Sequence, residues 1–451
     1  MSHPSELQDE ITGHREINAY IQQIAEKIQA KPISDLVDEQ GHQYVDLVLE
    51  GGGVLGIALA GYTYALEQAG IRFLNIAGTS AGAINAAFLA TLAKPNQMRS
   101  NKLIQLLDQM PMQTFIDGGK TAQALVKAMQ KKPDGFIDKI PELLILALDK
   151  IVRQKKWGIN PGDAFEKWLV QELKVQHPDD LKVILQLEPD VLKIRSGRTT
   201  YQARRNLTYQ QTEAQRLDNV RSNINLSIVS ADVTTQSKII FPQMAELFEF
   251  HHENQLAKFI RASMAIPLFF EPVTLKVNSQ AKWKKLVGYD GVLPEHCVLV
   301  DGGIISNFPI DIFHQRDYVP LCPTFGVKLD TDRTTPNETH KIGKFLGALF
   351  DTTRHTSDFN FLEKNEDYKQ IITYIEIAPH KVKKQIKTGL FNLKSKTEDV
   401  SKFHWLDFNM STSLKVELFS IGAKAACDFI VGSKSFDWDA YKTTRQELID
   451  A

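Results

Sequence analysis

Apolar residues near the start of the chain stand at helical spacing: Ile17, Ile21, Ile24 and Ile28 fall on one face of an otherwise polar stretch. The spacing predicts a helical extension over residues 1–44. The pattern then changes. Residues 44–49 (YVDLVL) read as a short strand running into Glu50 and a glycine cluster, and residues 58–69 as a helix closed by Gly70. A second strand over 71–77 meets another glycine-flanked turn, followed by a helix over 83–93. Strand, glycine turn and helix thus occur twice in succession, the alternation of parallel strands joined by crossover helices.

Residues 97–175 read as mostly helical, interrupted at Pro111, Pro133, Pro141 and Pro161. Within them, 141–157 (PELLILALDKIVRQKKW) is apolar over much of its length and ends in basic residues. A core helix with a solvated basic end is the expected form; a lid or membrane-surface helix is the other form open to it. Residues 186–222 are polar, rich in arginine and glutamine, and read as an insertion or mobile loop. Strands resume at 224–229, 238–241, 298–300, 325–329 and 371–377, and a helix covers 413–431. The expected organisation is an extension, 1–44, one large domain, 45–432, and a C-terminal tail, 433–451.

Charge and composition narrow the function classes. Lysine plus arginine number 53 against 54 aspartate plus glutamate, a net charge of −1, which argues against a dedicated nucleic-acid binder. At 43% hydrophobic and 24% charged, the 451-residue chain has the apolar content for a large core, which excludes disorder as its main state. Cys297, Cys322 and Cys427 are scattered, forming neither a disulfide framework nor a zinc-ligand spacing. A reducing, cytoplasmic setting is expected. The first 30 residues lack the apolar core of a secretory signal, with signal-less export left open. Residues 73–93 carry no charge over a near-spanning length, yet Asn75, Gly78, Thr79, Ser80, Gly82 and Asn85 argue against a membrane span.

Three motifs carry chemistry. Gly78-Thr79-Ser80-Ala81-Gly82 is a G-x-S-x-G set between a strand and a helix, the context of a nucleophile elbow. There Ser80 would stand at a helix N-terminus, whose free N–H groups favour developing negative charge. The bland alternative is a glycine turn with a capping serine. Gly51-Gly52-Gly53-Val54-Leu55-Gly56 formally matches the dinucleotide fingerprint through Gly51, Gly53 and Gly56, but no acidic residue ends the second strand to hold a ribose. Use as an oxyanion hole, with glycine N–H groups approaching a reacting carbonyl, fits better. Asp301-Gly302-Gly303 follows an apolar strand and offers the serine a partner, although a turn aspartate alone would look the same.

Together and in this order, GGGVLG, GTSAG and DGG resemble the signature set of the patatin-like phospholipases. Residues 261–267 (RASMAIP) are similar to that family's R-A-S-x-A-x-P block, and 158–169 (GINPGDAFEKWL) to its segment leading into a W-L helix. The resemblance runs from about residue 45 to about 330. It implies a three-layer α/β/α sandwich with a mostly parallel sheet, and hydrolysis of lipid acyl esters by a Ser80–Asp301 dyad. It further implies an oxyanion hole at Gly51, Gly52 and Gly53, with no histidine, metal or other cofactor. Phospholipid or another acyl lipid is the implied substrate, met by peripheral contact with a membrane. Many members carry Arg or Lys at the fifth place of the glycine loop, where this chain has Leu55.

Other constellations are weaker. His251-His252-Glu253 lacks any ligand spacing for a metal. Cys297, beside His296, reads as a core residue opening a strand. The basic stretches 381–387 and 195–205 suit either solvated faces or anionic headgroups. A Ser–Asp–His esterase stays open through His314, His340 and His355, which follow Asp301 in the order such enzymes use. A non-catalytic lipid-binding protein is the third reading. An unidentified activator is a further expectation, with 1–44 and 186–222 as its first candidate contacts.

Overall fold

The computed structural model describes residues 6–120, 122–124, 157–201, 211–250, 254–315, 317–330, 348, 352–353, 361–377, 379–387, 393–401, 403 and 407–451. Its strands are β1 (Leu36–Val37), β2 (Gln43–Leu49), β3 (Ile71–Thr79), β4 (Gly158–Asn160), β5 (Lys193–Ile194), β6 (Leu226–Asp232), β7 (Ser237–Phe241), β8 (Leu268–Phe270), β9 (Val273–Lys276), β10 (His296–Asp301), β11 (Thr324–Asp330), β12 (Ile372–Glu376), β13 (Pro379–Lys387) and β14 (Leu393–Ser401). The longer helices are α1 (Glu6–Thr12), α2 (Arg15–Ala30), α3 (Gly56–Gln68), α4 (Ala81–Leu92), α5 (Ser100–Gln109), α6 (Asp163–Glu172), α7 (Pro178–Leu185), α8 (Glu213–Ser222), α9 (Gln255–Ser263), α10 (Thr412–Val431) and α11 (Trp438–Asp450).

Ten strands join in one sheet along the path β12-β11-β2-β3-β6-β10-β9, with β1, β5 and β7 attached off it. From β12 to β6 the neighbours are parallel. Beyond β6 they are antiparallel, as is β7 on β6. The sheet is therefore parallel through its centre and mixed beyond β6, and the β6–β7 link is too short for the crossover that parallel pairing needs. Helices cover the sheet to give the three-layer α/β/α arrangement, with α3 packed on α2 and α10, and α4 on β3 and β6.

Strands β2 and β6 are buried at every position, and α4 is buried along its whole length. A strand or helix surrounded on all sides has no use for charge, which is why 73–93 is uncharged without crossing a membrane. Among the described residues no helix is long and apolar enough to do so.

Several outer segments differ from their sequence reading. The polar stretch 186–222 contributes β5, which pairs with β1, and α8, which opens on a capping box at Thr212 and Gln215. Residues 433–451 carry α11, whose Lys442 Nζ lies 3.2 Å from Asp35 with both side chains wholly buried. Arg195 and Arg198 reach the same aspartate, 3.2 and 3.4 Å away. A polar sequence here marks a buried ion cluster that closes the fold. In the stretch 97–175, α5, β4 and α6 are described, and 141–156 lies outside the described residues. The lysine-rich 381–387 falls on β13, which pairs with β14.

Candidate active site

Strand β3 ends at Thr79, and the chain turns at Ser80 with φ 54° and ψ −121°, a conformation that L-residues seldom adopt. The turn is tight because both motif glycines touch backbone. A Cβ on Gly78 would lie 2.3 Å from Gly82 C, and one on Gly82 would lie 2.2 Å from Leu49 O. Ser80 is the residue just before α4, and its carbonyl accepts from Ala83 and Ile84 N–H. The nucleophile candidate thus faces a helix N-terminus from a strained strand-to-helix turn.

Two structures bring Asp301 to this turn. One is β6. Its residue Val229 registers with Thr79, and its next residue, Ser230, registers with Asp301. The residues 228–232 also pair with β7, so β3 and β10 share the other edge of β6, one following the other. The second is the end of α9 and the residues that follow it. Ser263 Oγ accepts the Ser80 N–H at 2.9 Å, Met264 Sδ accepts from Ser80 Oγ at 3.3 Å, and Ala265 O accepts the Asp301 N–H at 2.9 Å. Ser80 and Asp301 are both buried, and Asp301 Oδ1 accepts from Gly303 N–H at 2.8 Å. A Cβ on Gly302 would meet Val229 O at 2.3 Å, so Gly302 lies flat against β6.

The glycine loop follows β2 and reaches the same place: a Cβ on Gly51 would sit 3.0 Å from Ser80 Cβ. Gly51 differs from its expected role. Its N–H donates to Asn307 O at 3.1 Å, so that donor is committed to holding the loop. Gly52 and Gly53, the latter at φ +59°, form the turn into α3, and Gly56 begins that helix. Asn307 Nδ2 donates to Gly51 O (3.2 Å) and to Glu50 Oε1 (3.0 Å). The same Glu50 carboxylate accepts from Lys328 Nζ at 3.0 Å and from Leu329 N–H at 2.6 Å.

Ser263, Asn307, Glu50 and Lys328 were not singled out from the sequence. Only Ser263 lay within a recognised block. The Arg261 of that block is buried, its guanidinium donating to Pro161 O (2.6 Å) and Glu271 O (2.7 Å) and standing 5.2 Å over the Phe270 ring. It ties β4 and β8 to α9.

His314 stacks near Tyr368, with ring centroids 4.9 Å apart, and lines a cavity with Asp46 on β2, away from Ser80 at the strand ends. His340, His355 and the 251–253 cluster lie outside the described residues. All three cysteines are buried and free, and burial raises the Cys297 thiol pKa with a further push from Asp232. Among the described residues no group of three His, Cys, Asp or Glu side chains is placed to hold a metal ion.

The chain is 25% identical over 335 residues to an uncharacterized protein, YqhO, of Bacillus subtilis (strain 168), the match covering 74% of this chain and 88% of that protein. Among solved structures it is similar to VipD from Legionella pneumophila, at 17% identity and a TM-score of 0.31, over 70% of this chain and 56% of that one. A sequence model of the patatin-like phospholipases matches residues 47–314, more than half of the chain and the span that holds the glycine loop, the Ser80 turn and Asp301. On that match, the chain belongs to the patatin-like phospholipase family.

Proposed function

We propose that the protein hydrolyses carboxylic esters of phospholipids or related acyl lipids through a Ser80–Asp301 dyad. The observation that carries this reading is the convergence of both residues on β6 and on Ser263, Met264 and Ala265. Asp301 accepts the Ser80 proton as Ser80 Oγ attacks the ester carbonyl. The tetrahedral oxyanion is held by the N–H groups of Gly52 and Gly53 beside the N-terminus of α4, each such donor being worth about 3 kcal/mol of barrier. Collapse expels the alcohol, which takes the proton from Asp301, and a water then releases the fatty acid from Ser80 by the same steps in reverse roles.

The test is fatty-acid release from mixed phospholipid vesicles by wild type, Ser80→Ala and Asp301→Asn. Loss of about 10⁴-fold or more in both variants is expected. Turnover by Ser80→Ala at the wild-type rate overturns the reading. A fluorophosphonate probe adds a second arm, since it should label wild type at Ser80 and leave Ser80→Ala unlabelled.

A further inference from the structure

At the end of the sheet away from Ser80, a cavity of about 210 Å³ opens between α8, α11 and the residues that lead into β11. Arg216, Asn219 and Val220 of α8 line it, with Asn223 just beyond: positions i, i+3, i+4 and i+7, one face of a helix. A helix laid on a domain normally turns an apolar stripe inward. Here the face on the cavity is largely polar, and no residue of α8 is buried. Tyr368 and Tyr441 also line the cavity, at 2% and 4% exposure. Neither hydroxyl has a hydrogen-bond partner among the described residues, and burial raises both pKa values, which keeps the hydroxyls as donors. A buried donor without an acceptor is costly, so this lining suits an occupant.

The unmatched charge on the wall is Arg216. Its guanidinium stands 5.0 Å over the Tyr318 ring and donates through Nη2 to Val319 O. Among the described residues its Nε and Nη1 have no partner, and no carboxylate pairs with it. Burial and the charge of Arg198 both work against its own charge, which a bound anion would relieve. Arg445, by contrast, is already paired with Asp367 at 2.7 Å. Asp46 does not oppose an anion in mildly acidic solution, since burial pushes its carboxyl up to about 7. Rings make up much of the remaining wall: Tyr318, Phe313 and His314, the last 4.9 Å from Tyr368. A cavity of about 150 Å³ holds benzene, so this one has room for one substituted ring.

We infer that this cavity is a binding site for a small aromatic carboxylate, its carboxylate on Arg216, its ring against the aromatic walls and its other polar atoms met by the Tyr368 and Tyr441 hydroxyls. An arginine fork matches the two oxygens of a carboxylate, and aromatic side chains recognise a ring by stacked or edge-on contact. The site is separate from Ser80, and its occupancy does not depend on hydrolysis.

The probe is 4-hydroxybenzoate, titrated into the full chain at pH 6 by calorimetry with Tm followed alongside. Wild type should bind it with a Kd of about 0.1 mM, and Tm should rise with ligand concentration. 4-Hydroxybenzamide lacks the charge, cyclohexanecarboxylate lacks the flat ring, and inorganic phosphate lacks any ring; each should bind about tenfold more weakly or worse. Arg216→Met keeps the aliphatic stem and removes the guanidinium. It should weaken 4-hydroxybenzoate by about tenfold or more and change the amide by no more than about twofold. Tyr368→Phe and Tyr441→Phe remove hydroxyls that bond to nothing in the fold. Each should weaken binding about fivefold with an unchanged or higher Tm, which removes misfolding as the cause. Ser80→Ala should bind like wild type. No binding by wild type, or wild-type affinity in Arg216→Met and both phenylalanine variants, would overturn the site. So would phosphate or cyclohexanecarboxylate binding as tightly as 4-hydroxybenzoate. Loss of binding in Ser80→Ala would put the ligand at Ser80 and overturn it as well.

Discussion

Thr79 and Asp301 lie against consecutive residues of one strand, Thr79 opposite Val229 and Asp301 opposite Ser230. One edge of β6 thus sets the spacing between the Ser80 turn and Asp301. The relation depends on Gly302, where the chain leaves β10. Gly302→Ala would press a methyl to 2.3 Å from Val229 O, a contact with backbone that no side-chain rotation relieves. Expected are a stability loss of about 2 kcal/mol and a fall in turnover of at least a hundredfold, because Asp301 must move to relieve the clash. Urea unfolding and ester hydrolysis measured on one preparation check both, and unchanged turnover would show that the β6 template does not set the dyad.

Ser263 gives a second prediction. It is fully buried and accepts the Ser80 N–H at 2.9 Å. Ser263→Ala strands that N–H in a buried place, at a cost of about 1–3 kcal/mol. The strained φ of Ser80 then loses one of its restraints. Turnover and fluorophosphonate labelling should fall together, by about tenfold, since both need the Oγ in place. A drop in stability with labelling unchanged would reduce Ser263 to a packing residue.

The central fold and the candidate Ser80 turn were legible because their signals are local. Strands β2 and β3 are short apolar runs ending in glycine turns, and Gly78, Ser80 and Gly82 stand within five positions of each other. What holds them was not legible. Ser263 meets Ser80 across 183 positions, and Asn307 meets Gly51 across 256. Ser and Asn there look like any polar residue until the fold supplies their partners. Lys442 is the same case at the chain's end: its bond to Asp35 spans 407 positions, so a polar stretch read as a tail is a wall of the domain. Nor does the pattern of β10 reveal that it follows β3 along β6, because its partners there, residues 230–232, lie far away in the chain.

Glu50 is the anchor of the glycine loop, and its carboxylate is nearly inaccessible, with Lys328 as its cation. Lys328→Met removes the charge partner and leaves the buried carboxylate with only amide donors. Removal of one partner from a buried pair is strongly destabilising, and about 3 kcal/mol is expected. Adding Glu50→Gln to that variant should restore part of the loss, since the second charge disappears while one of the two donors, Asn307 Nδ2 on Oε1 or Leu329 N–H on Oε2, keeps an oxygen acceptor. Urea midpoints with unchanged m values are the readout. A double variant no more stable than Lys328→Met would mean that the pair's charge is not what the loop depends on.

Asp46 predicts how stability changes with pH. It lies on β2, and its Oδ1 accepts both the N–H (3.0 Å) and the Nδ2 (2.8 Å) of Asn75, at the point where the β2–β3 register shifts. Those bonds favour the carboxylate, but burial outweighs them and pushes the carboxyl up to about 7 from its ordinary 3.8. Below 3.8 the group is protonated whether the chain is folded or not. Between 3.8 and 7 the folded protein keeps a proton that the unfolded chain releases, so stability falls as pH rises through that window and levels off above it. The full span is worth about 4 kcal/mol. Asp46→Asn retains the oxygen acceptor for Asn75 and cannot ionise, so it should be close to wild type at pH 4 and more stable by several kcal/mol at pH 8. Urea unfolding of both proteins across pH 4–8 isolates the group, because every other titration is common to the pair. Parallel curves would show that Asp46 ionises freely in the folded protein and that its burial carries no penalty.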